Sequence, residues 1–213
     1  MRISKWWLGA LIGIVLVGIW LILEPAPTVS LAVLSSHSDE LFHDADSPVG
    51  GNPQGDVTLV EFYDYNCPVC RQMSGVIAQA EAADPQLRLV YKEWPILHSV
   101  FEARAALAAE RQGRFVALHR ALYKLRGQVD VEKTLATAAS LGLDIGRLKS
   151  DLQDSAIFAM IKRNFALASD LKIDGTPGFV IGDQVLMGSI ELDKLQTIIR
   201  DTRLGKRSAQ AKS

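Results

Sequence analysis

One short segment limits the folds that this chain can adopt more than any other. Residues 57–63 read VTLVEFY, a β-branched and aromatic run bounded by turn residues, and this pattern predicts a buried strand. Pro68 then suits the first position of a helix, where its missing N–H would have no partner in any case. Apolar residues follow at helical spacing, at Met73, Val76, Ile77 and Ala80. The segment therefore predicts a strand that runs into a helix, with Cys67 and Cys70 at the junction.

Cys67 and Cys70 are the only cysteines in the chain, and their position favours redox chemistry. The first turn of a helix presents unpaired backbone N–H groups, which stabilise a thiolate and so make the sulfur reactive. Cys67 begins the helix and is predicted to be the nucleophile. Cys70 lies one turn further in and is predicted to be the resolving thiol of a disulfide exchange.

Other uses of the two cysteines agree less well with the sequence. A structural disulfide across a two-residue loop would restrain little of the unfolded chain. A zinc site would need further ligands, and the four histidines show no paired ligand spacing. An iron–sulfur cluster would need more cysteines. We therefore expect a redox-active cysteine pair that needs no metal and no organic cofactor.

Composition gives no reason to expect a nucleic-acid partner. The chain has 23 Lys and Arg against 24 Asp and Glu, a net charge of −1, so no strongly basic face is implied. Its 213 residues, 48% of them hydrophobic, are enough to bury a core without disulfide cross-links.

Residues 1–24 are predicted to be a membrane anchor. Residues 6–23 form an 18-residue stretch without a charge, long enough to cross most of a bilayer core. Arg2 and Lys5 precede it, which predicts a cytoplasmic start and export of the rest. The alternative is a cleaved signal peptide, for which Ser30-Leu31-Ala32 offers a cleavage site. Both interpretations place the folded part in the periplasm or on another extracytoplasmic side of the membrane, where disulfides persist.

The remaining chain is predicted to be one folded unit with flanking segments. Proline and glycine punctuate residues 25–50, which favours a linker, and the folded unit is expected at residues 51–203. A second strand is predicted at residues 87–92, helices at about 98–171, two strands around the turn at Gly182 and Asp183, and a last helix from near Ile190. Residues 204–213 are expected to be a polar tail.

This order of elements predicts an α/β fold. It is similar to the thioredoxin fold, except that roughly eighty residues separate the second strand from the closing hairpin. A simple crossover needs only about a dozen residues. The surplus is almost all helical in pattern, so we expect a helical subdomain inserted between the second strand and the closing β-hairpin.

The motifs resemble those of the DsbA family of thiol–disulfide oxidoreductases, in particular its membrane-anchored or exported bacterial branch. The resemblance rests on three features: Glu61-Phe-Tyr-Asp-Tyr-Asn-Cys67-Pro-Val-Cys70, the helical insertion and Gly175-Thr176-Pro177. It implies that Pro177 is a cis proline facing the cysteines and that the backbone of Thr176 pairs with an extended substrate segment. Pro68 and Val69, between the cysteines, are expected to contact substrate as well.

Glu61 is an unusual residue in an apolar strand. Alternation places it on the same face as Leu59 and Tyr63, so it should be buried and should need either a cation or a proton. The resemblance implies that Lys92, on the next strand, is its partner and that the pair helps to move protons near Cys70. A solvent-facing glutamate at a sheet edge is the alternative.

The direction of the reaction is left open by the sequence. Val69 stands where the best-known oxidant of the family has a histidine, so we expect a moderately oxidising couple. The resemblance implies that the partners are exported proteins with cysteines and a membrane protein that recycles the couple. A disulfide isomerase or reductase of the same fold is the alternative, and a Cu(I)-binding or client-holding module is a more distant one.

Overall fold

The computed structural model describes residues 29–205. The predicted anchor at residues 6–23 lies outside this part of the chain, and so does the tail beyond residue 205. Within residues 29–205, no helix combines the length and the apolar character that crossing a membrane requires.

The described chain alternates strands and helices in the predicted order. It begins with helix α1 and a short π-helical turn, and the elements are as follows: α1 (Leu31–Ser36), the π-helical turn (Asp39–His43), β1 (Val49–Gly51), β2 (Val57–Tyr63), α2 (Pro68–Ala83), β3 (Leu87–Glu93), α3 (Val100–Glu110), α4 (Phe115–Lys124), α5 (Val131–Ser140), α6 (Ile145–Asp151), α7 (Ser155–Asp170), β4 (Gly178–Ile181), β5 (Gln184–Met187) and α8 (Leu192–Arg203).

The strands form one sheet of five in the order β1-β3-β2-β4-β5. Only β2 and β3 are parallel, and the helix α2 connects them, whereas the other neighbours are antiparallel. Helices α3 to α7 lie between β3 and β4 along the chain. The fold class predicted from the sequence, with its helical subdomain inserted before the closing hairpin, is thus confirmed.

Side chains of β2 enter two different cores because alternate residues of a strand point to opposite faces. Leu59 and Tyr63 belong to the larger core, together with Cys70 and Met73 of α2. On the other face, Phe62 belongs to a smaller core. That second core also contains residues from the segment before β1 and from α7: Leu34, Leu41, Leu167, Ala168 and Leu171.

The predicted linker at residues 25–50 is wrong for its second half. Leu41, in the π-helical turn, is fully buried, and β1 pairs with β3 from Val49 onwards. The folded unit therefore begins well before residue 51. Short irregular elements of this kind have no periodicity long enough to be recognised, and β1 has only three residues, VGG.

Strand pairing brings two distant parts of the chain together at one end of the sheet. Phe62 of β2 pairs with Gly178 of β4, so Pro177 lies beside the point where β2 ends. The residues between β2 and α2 leave from that same point. The sheet therefore holds the start of α2, with its cysteines, next to the segment that contains Thr176 and Pro177.

Candidate active site

Cys67 occupies the capping position of α2 and is almost completely buried, with 4% of its surface exposed. Its Sγ accepts a hydrogen bond from the backbone N–H of Cys70, at 3.3 Å. The same thiol donates to the carbonyl oxygen of Thr176, at 3.2 Å. The Cys67 sulfur thus lies between the first backbone N–H groups of a helix 16 residues long and the carbonyl of Thr176.

The segment facing Cys67 has the geometry that the resemblance implied. The peptide bond between Thr176 and Pro177 is cis, as predicted. The Thr176 carbonyl points at the cysteine sulfur, and the Thr176 hydroxyl oxygen is buried without a hydrogen-bond partner. The carbonyl of Pro177 accepts from the N–H of Gly188, at 2.9 Å, which ties this segment to the end of the β4–β5 hairpin.

Cys70 is fully buried, and both cysteines are free thiols in this structure. Burial raises the pKa of the Cys70 thiol far above its ordinary value, and the charge of Glu61 raises it further. The two sulfurs therefore have different surroundings. Cys67 caps the helix with its sulfur in two hydrogen bonds, whereas Cys70 is enclosed in the core.

Glu61 is buried, as alternation along β2 predicted, with 3% of its surface exposed. Its backbone neighbours across the sheet are Tyr91 on β3 and Phe179 on β4. The Glu61 Oε1 atom has no hydrogen-bond partner, and desolvation raises the pKa of the carboxyl to about 8. Glu61 is thus a buried carboxylic acid that keeps its proton at neutral pH and titrates just above it.

The predicted pair of Glu61 with Lys92 is wrong. In the parallel register of β2 and β3, Glu61 lies opposite Tyr91, so Lys92 points to the other face of the sheet. There the Lys92 ammonium donates to the Glu40 carbonyl at 2.6 Å, to Ser47 Oγ at 2.8 Å and to Asp44 Oδ2 at 3.0 Å. Lys92 therefore fixes the segment before β1 against the sheet and does not reach the cysteines.

Pro68 and Val69, the residues between the cysteines, occupy the first turn of α2. Pro68 is exposed and Val69 is half-buried. The loop before them is held by Asp64, whose carboxylate accepts from the N–H of Asn66 at 2.7 Å and from the N–H of Leu97 at 2.6 Å. Pro68 is thus on the surface beside the sulfur, where an approaching polypeptide would touch it.

A buried polar network next to the site was missed in the sequence. Glu93, at the end of β3, accepts hydrogen bonds from the hydroxyl groups of Tyr63 and Tyr65, and Tyr65 also bonds to His119 Nδ1 at 3.1 Å. Burial raises the pKa of the Glu93 carboxyl, and it lowers the pKa of His119 to about 3, so the His119 imidazole is uncharged at neutral pH. Period-two alternation along β3 places Glu93 on the same face as Tyr91 and could have indicated its burial. No sequence signal links it to His119, which lies on α4.

Within residues 29–205, no group of three or more His, Cys, Asp or Glu side chains is placed to hold a metal ion. The chemistry that the site can perform with its own groups is nucleophilic attack at sulfur and proton exchange with a buried carboxyl.

The chain matches a family model described as Thioredoxin over residues 43–201. Among curated proteins it is 28% identical, over 167 residues, to a Na(+)/H(+) antiporter NhaA of Herminiimonas arsenicoxydans. That match covers 78% of this chain but 27% of the antiporter. The chain thus spans about a quarter of the length of the curated relatives that it matches first.

Several solved structures are similar to this chain over nearly their whole length. A thioredoxin-like oxidoreductase from Silicibacter pomeroyi DSS-3 is 44% identical, with a TM-score of 0.76 and coverage of 80% of this chain and 98% of that one. The thiol-disulfide exchange protein alpha-DsbA2 from Wolbachia pipientis is 27% identical, with a TM-score of 0.75 and coverage of 80% and 94%. A periplasmic thioredoxin-like protein from Salmonella enterica serovar Typhimurium is 26% identical, with a TM-score of 0.71 and coverage of 84% and 99%.

Proposed function

The chain belongs to the thioredoxin family, and from this premise we propose that it is a DsbA-type thiol–disulfide oxidoreductase that works through Cys67 and Cys70. The observation that carries the proposal is the position of Cys67 Sγ, which lies between the first N–H groups of α2 and the Thr176 carbonyl, 3.2 Å away. This arrangement stabilises a thiolate on one side and offers backbone atoms for substrate pairing on the other. The similar oxidoreductase and thiol-disulfide exchange protein support the same activity.

The proposed reaction oxidises a substrate dithiol in two steps. A substrate thiolate attacks Cys67 Sγ of the protein disulfide, the Cys67–Cys70 bond breaks, and its electron pair leaves on Cys70 sulfur, which takes up a proton. The substrate's second thiolate then attacks the substrate sulfur of the mixed disulfide, and Cys67 leaves as a thiolate. The substrate loses two electrons, and the protein gains them as a pair of reduced cysteines.

Glu61 is proposed to supply the proton that Cys70 needs when its disulfide breaks. Its carboxyl is buried on the same side of the sheet as Cys70, and its charge acts on that thiol. A carboxyl with a pKa of about 8 is mostly protonated at neutral pH and gives up its proton readily. After the transfer, the negative charge rests on the carboxylate and not on the buried Cys70 sulfur.

Substrate segments are proposed to pair in extended form with the backbone of Thr176, next to Pro177, while Pro68 and Val69 form the surface they meet at the helix start. Backbone pairing depends little on sequence, which suits an enzyme that acts on many exported proteins with cysteines. No metal and no organic cofactor takes part in this proposed reaction.

We place the protein on the extracytoplasmic side of the membrane, with residues 6–23 as its tether. The similarity to a periplasmic thioredoxin-like protein supports the compartment, and the uncharged stretch of sequence supports the tether. In such a compartment the reduced couple needs an electron acceptor, and we propose a membrane protein with its own disulfide for this role.

The test is disulfide transfer to a reduced, unfolded substrate by the oxidised protein and by two single variants. Cys67→Ser should abolish transfer, because no mixed disulfide can form. Cys70→Ser should abolish transfer as well, because without Cys70 the protein has no disulfide to donate. The same protein should be equilibrated with glutathione and assayed on a scrambled substrate, so that an oxidase is told from an isomerase or reductase. Full transfer by Cys67→Ser would refute the proposal.

A further inference from the structure

A groove of about 570 Å³ lies directly beside the reactive cysteine. The residues on either side of Cys67, Asn66 and Pro68, both line it. The other lining residues come from α2, from the loop after β3 and from the loop between α4 and α5: Arg71, Leu97, Gly127 and Gln128. The groove therefore adjoins the place where a substrate sulfur meets Cys67.

The groove is held in shape by hydrogen bonds between its walls. The Arg71 guanidinium donates to the carbonyl of Leu125 and to that of Gly127, the latter at 2.8 Å. On the same wall, Asn66 Oδ1 accepts from the N–H of Val129 at 2.9 Å. These contacts join the start of α2 to the loop between α4 and α5, so the groove exists before any ligand arrives.

Arg71 is the one charged side chain among the described residues that line the groove. It forms no ion pair with a carboxylate in the part of the chain that the structure describes, and its recorded partners are uncharged carbonyls. Asp64, in the loop before Cys67, does not line the groove, and both of its carboxylate oxygens accept backbone N–H groups. The Arg71 guanidinium thus brings a positive charge to the groove, and no carboxylate among the described residues forms an ion pair with it.

The spacing of Cys67 and Arg71 along α2 is close to the repeat of an extended peptide. Arg71 is four residues beyond Cys67, and four residues along a helix rise about 6 Å. Two residues along an extended chain advance about 6.7 Å, and side chains two positions apart point to the same side. A substrate segment that runs along α2 would thus bring the side chain two positions from its cysteine near Arg71.

We propose that this groove, with Arg71 at its wall, selects substrates that carry an acidic residue two positions from the reacting cysteine. The inference rests on the proposed function, since it concerns the same site. A carboxylate would replace water around the guanidinium and form charge-assisted hydrogen bonds with its free N–H groups. The apolar surfaces of Pro68 and Leu97, the latter 42% exposed, would cover the stem of that side chain.

The test uses six peptides, each with one cysteine and with Glu, Gln or Lys placed two residues before or two residues after it. The second-order rate of mixed-disulfide formation with the oxidised full-length protein is measured. Each rate is divided by the rate of the same peptide with glutathione disulfide, which removes the effect of the neighbouring charge on the peptide's own thiol. At one of the two positions, the Glu peptide should react about tenfold faster than the Lys peptide.

Two variants assign the preference to Arg71. Arg71→Gln should reduce the ratio of Glu to Lys rates to within about twofold of one, whereas Arg126→Gln should leave it unchanged. Arg126 is exposed in the same loop but does not line the groove, so its variant removes an equal charge from the neighbourhood. If Arg71→Gln does not fold, Arg71→Lys keeps the charge without the planar fork and should retain part of the preference.

Equal normalised rates for the Glu and Lys peptides at both positions would overturn the proposal, and so would an equal loss of preference in Arg126→Gln. These results differ from a failure of the proposed function, in which the Gln peptides would not react either. A preference that declines as salt is added would support a direct charge interaction.

Discussion

At the scale of single residues, the site combines one sulfur stabilised by backbone N–H groups with two buried acids, Cys70 and Glu61. The negative charges of the two ionised groups would repel each other, and the Glu61 carboxylate accordingly raises the pKa of Cys70. Only one of the two can be ionised at low cost in the same dry region. In the proposed reaction, this coupling would favour a protonated Cys70 after the disulfide breaks, with the charge on Glu61.

Glu61→Gln should change both the stability and the pH dependence of the protein. The pKa of Glu61 is about 8 in the folded protein against an ordinary value of 4.5, so the folded state binds the proton more firmly. The stability due to this proton is complete below about pH 4.5 and is lost as the pH rises through about 8. The glutamine variant should therefore be more stable at pH 8.5, by on the order of 3 kcal/mol, and its free energy of unfolding should not show this decline with pH.

Chemical unfolding of both proteins at pH 5.5 and 8.5 measures the effect on stability. The rate of mixed-disulfide formation by the oxidised protein, the step in which Cys70 takes up its proton, should lose its inflection near pH 8. The exposed Glu132→Gln is the control and should change neither. An unaltered pH profile of mixed-disulfide formation in Glu61→Gln would remove Glu61 from the proposed proton transfer.

Lys92→Met should destabilise the protein without impairing the chemistry at Cys67. Lys92 is 1% exposed and holds Asp44 and Ser47, so its removal leaves a partly buried carboxylate without its cation. The expected cost is on the order of 3 kcal/mol. Because Lys92 faces away from the cysteines, the rate of disulfide transfer under native conditions should stay within about twofold.

Thermal unfolding and substrate oxidation, measured on one preparation, check this separation. Asp44→Asn combined with Lys92→Met should recover part of the lost stability, since no buried charge is then left alone. A folded Lys92→Met protein that no longer transfers disulfides would show that the ammonium acts on the site after all.

Burial of Glu61 was predictable from the sequence, whereas its partner was not. Period-two alternation fixes which side of a strand a residue occupies, and it placed Glu61 in the core correctly. The register between two strands cannot be read from the sequence of either strand alone. A shift of one residue brought Tyr91, and not Lys92, opposite Glu61.

At the scale of secondary-structure elements, β4 determines where the segment opposite Cys67 lies. Its first residue, Gly178, follows Pro177 directly and pairs with Phe62 of β2. A Cβ on Gly178 would lie 2.6 Å from Cγ2 of Ile173, a short branched side chain in the smaller core that has little room to move. A side chain at Gly178 would thus displace either Ile173 or the backbone that follows Pro177.

Gly178→Ala should lower both stability and the rate of disulfide transfer. The added methyl group would push against Ile173, and overpacking of this kind costs about 1–3 kcal/mol. It would also move the Thr176 carbonyl away from Cys67 Sγ, so the rate should fall further than the loss of stability alone explains.

Gly175→Ala, in the same segment, is the matched control, because no atom lies within 4 Å of a Cβ added there. Rates should be measured at a temperature where all three proteins are folded. Equal transfer rates for Gly178→Ala and Gly175→Ala would show that the position of this segment does not control the rate of disulfide transfer.

The long regular elements were predictable because each repeats its period several times. β2 and α2 were expected at their observed places, and the insertion was expected to be helical over about residues 98–171, where α3 to α7 lie. The segment before β1 was not, because its buried residues are spread over one six-residue helix and a π-helical turn. Its packing depends on Lys92 and on α7, which are distant in the sequence.

At the scale of the whole molecule, the redox state of one cysteine pair should be coupled to the stability of the entire fold. A couple is oxidising when its reduced folded form is the more stable one. Here the reduced Cys67 sulfur is held by the N–H of Cys70 and by the Thr176 carbonyl, both of which favour the reduced form. The groove and the network of Glu93 with its tyrosines are each built from residues far apart in the sequence. Sequence patterns therefore did not indicate them.

The reduced protein should therefore unfold at a higher temperature than the oxidised protein, by several degrees. For a chain of this size, a difference of 1 kcal/mol corresponds to about 2–4 °C. Circular dichroism with and without dithiothreitol measures the melting temperatures of both forms. Cys70→Ser, which cannot form the disulfide, should show no difference in melting temperature between the two conditions. A higher melting temperature for the oxidised protein would assign the couple to reduction or isomerisation.

The near-complete burial of Cys67, described above at 4% exposure, limits which sulfur atoms can react with it. Attack on a disulfide requires the incoming sulfur to approach along the line of the bond that breaks. The Thr176 carbonyl occupies one flank of Cys67, and α2 closes another. We therefore expect a cysteine on an extended, protruding segment to react faster with Cys67 than a cysteine set into the flat surface of a folded protein. By its shape alone, such an entrance would favour chains that have not finished folding.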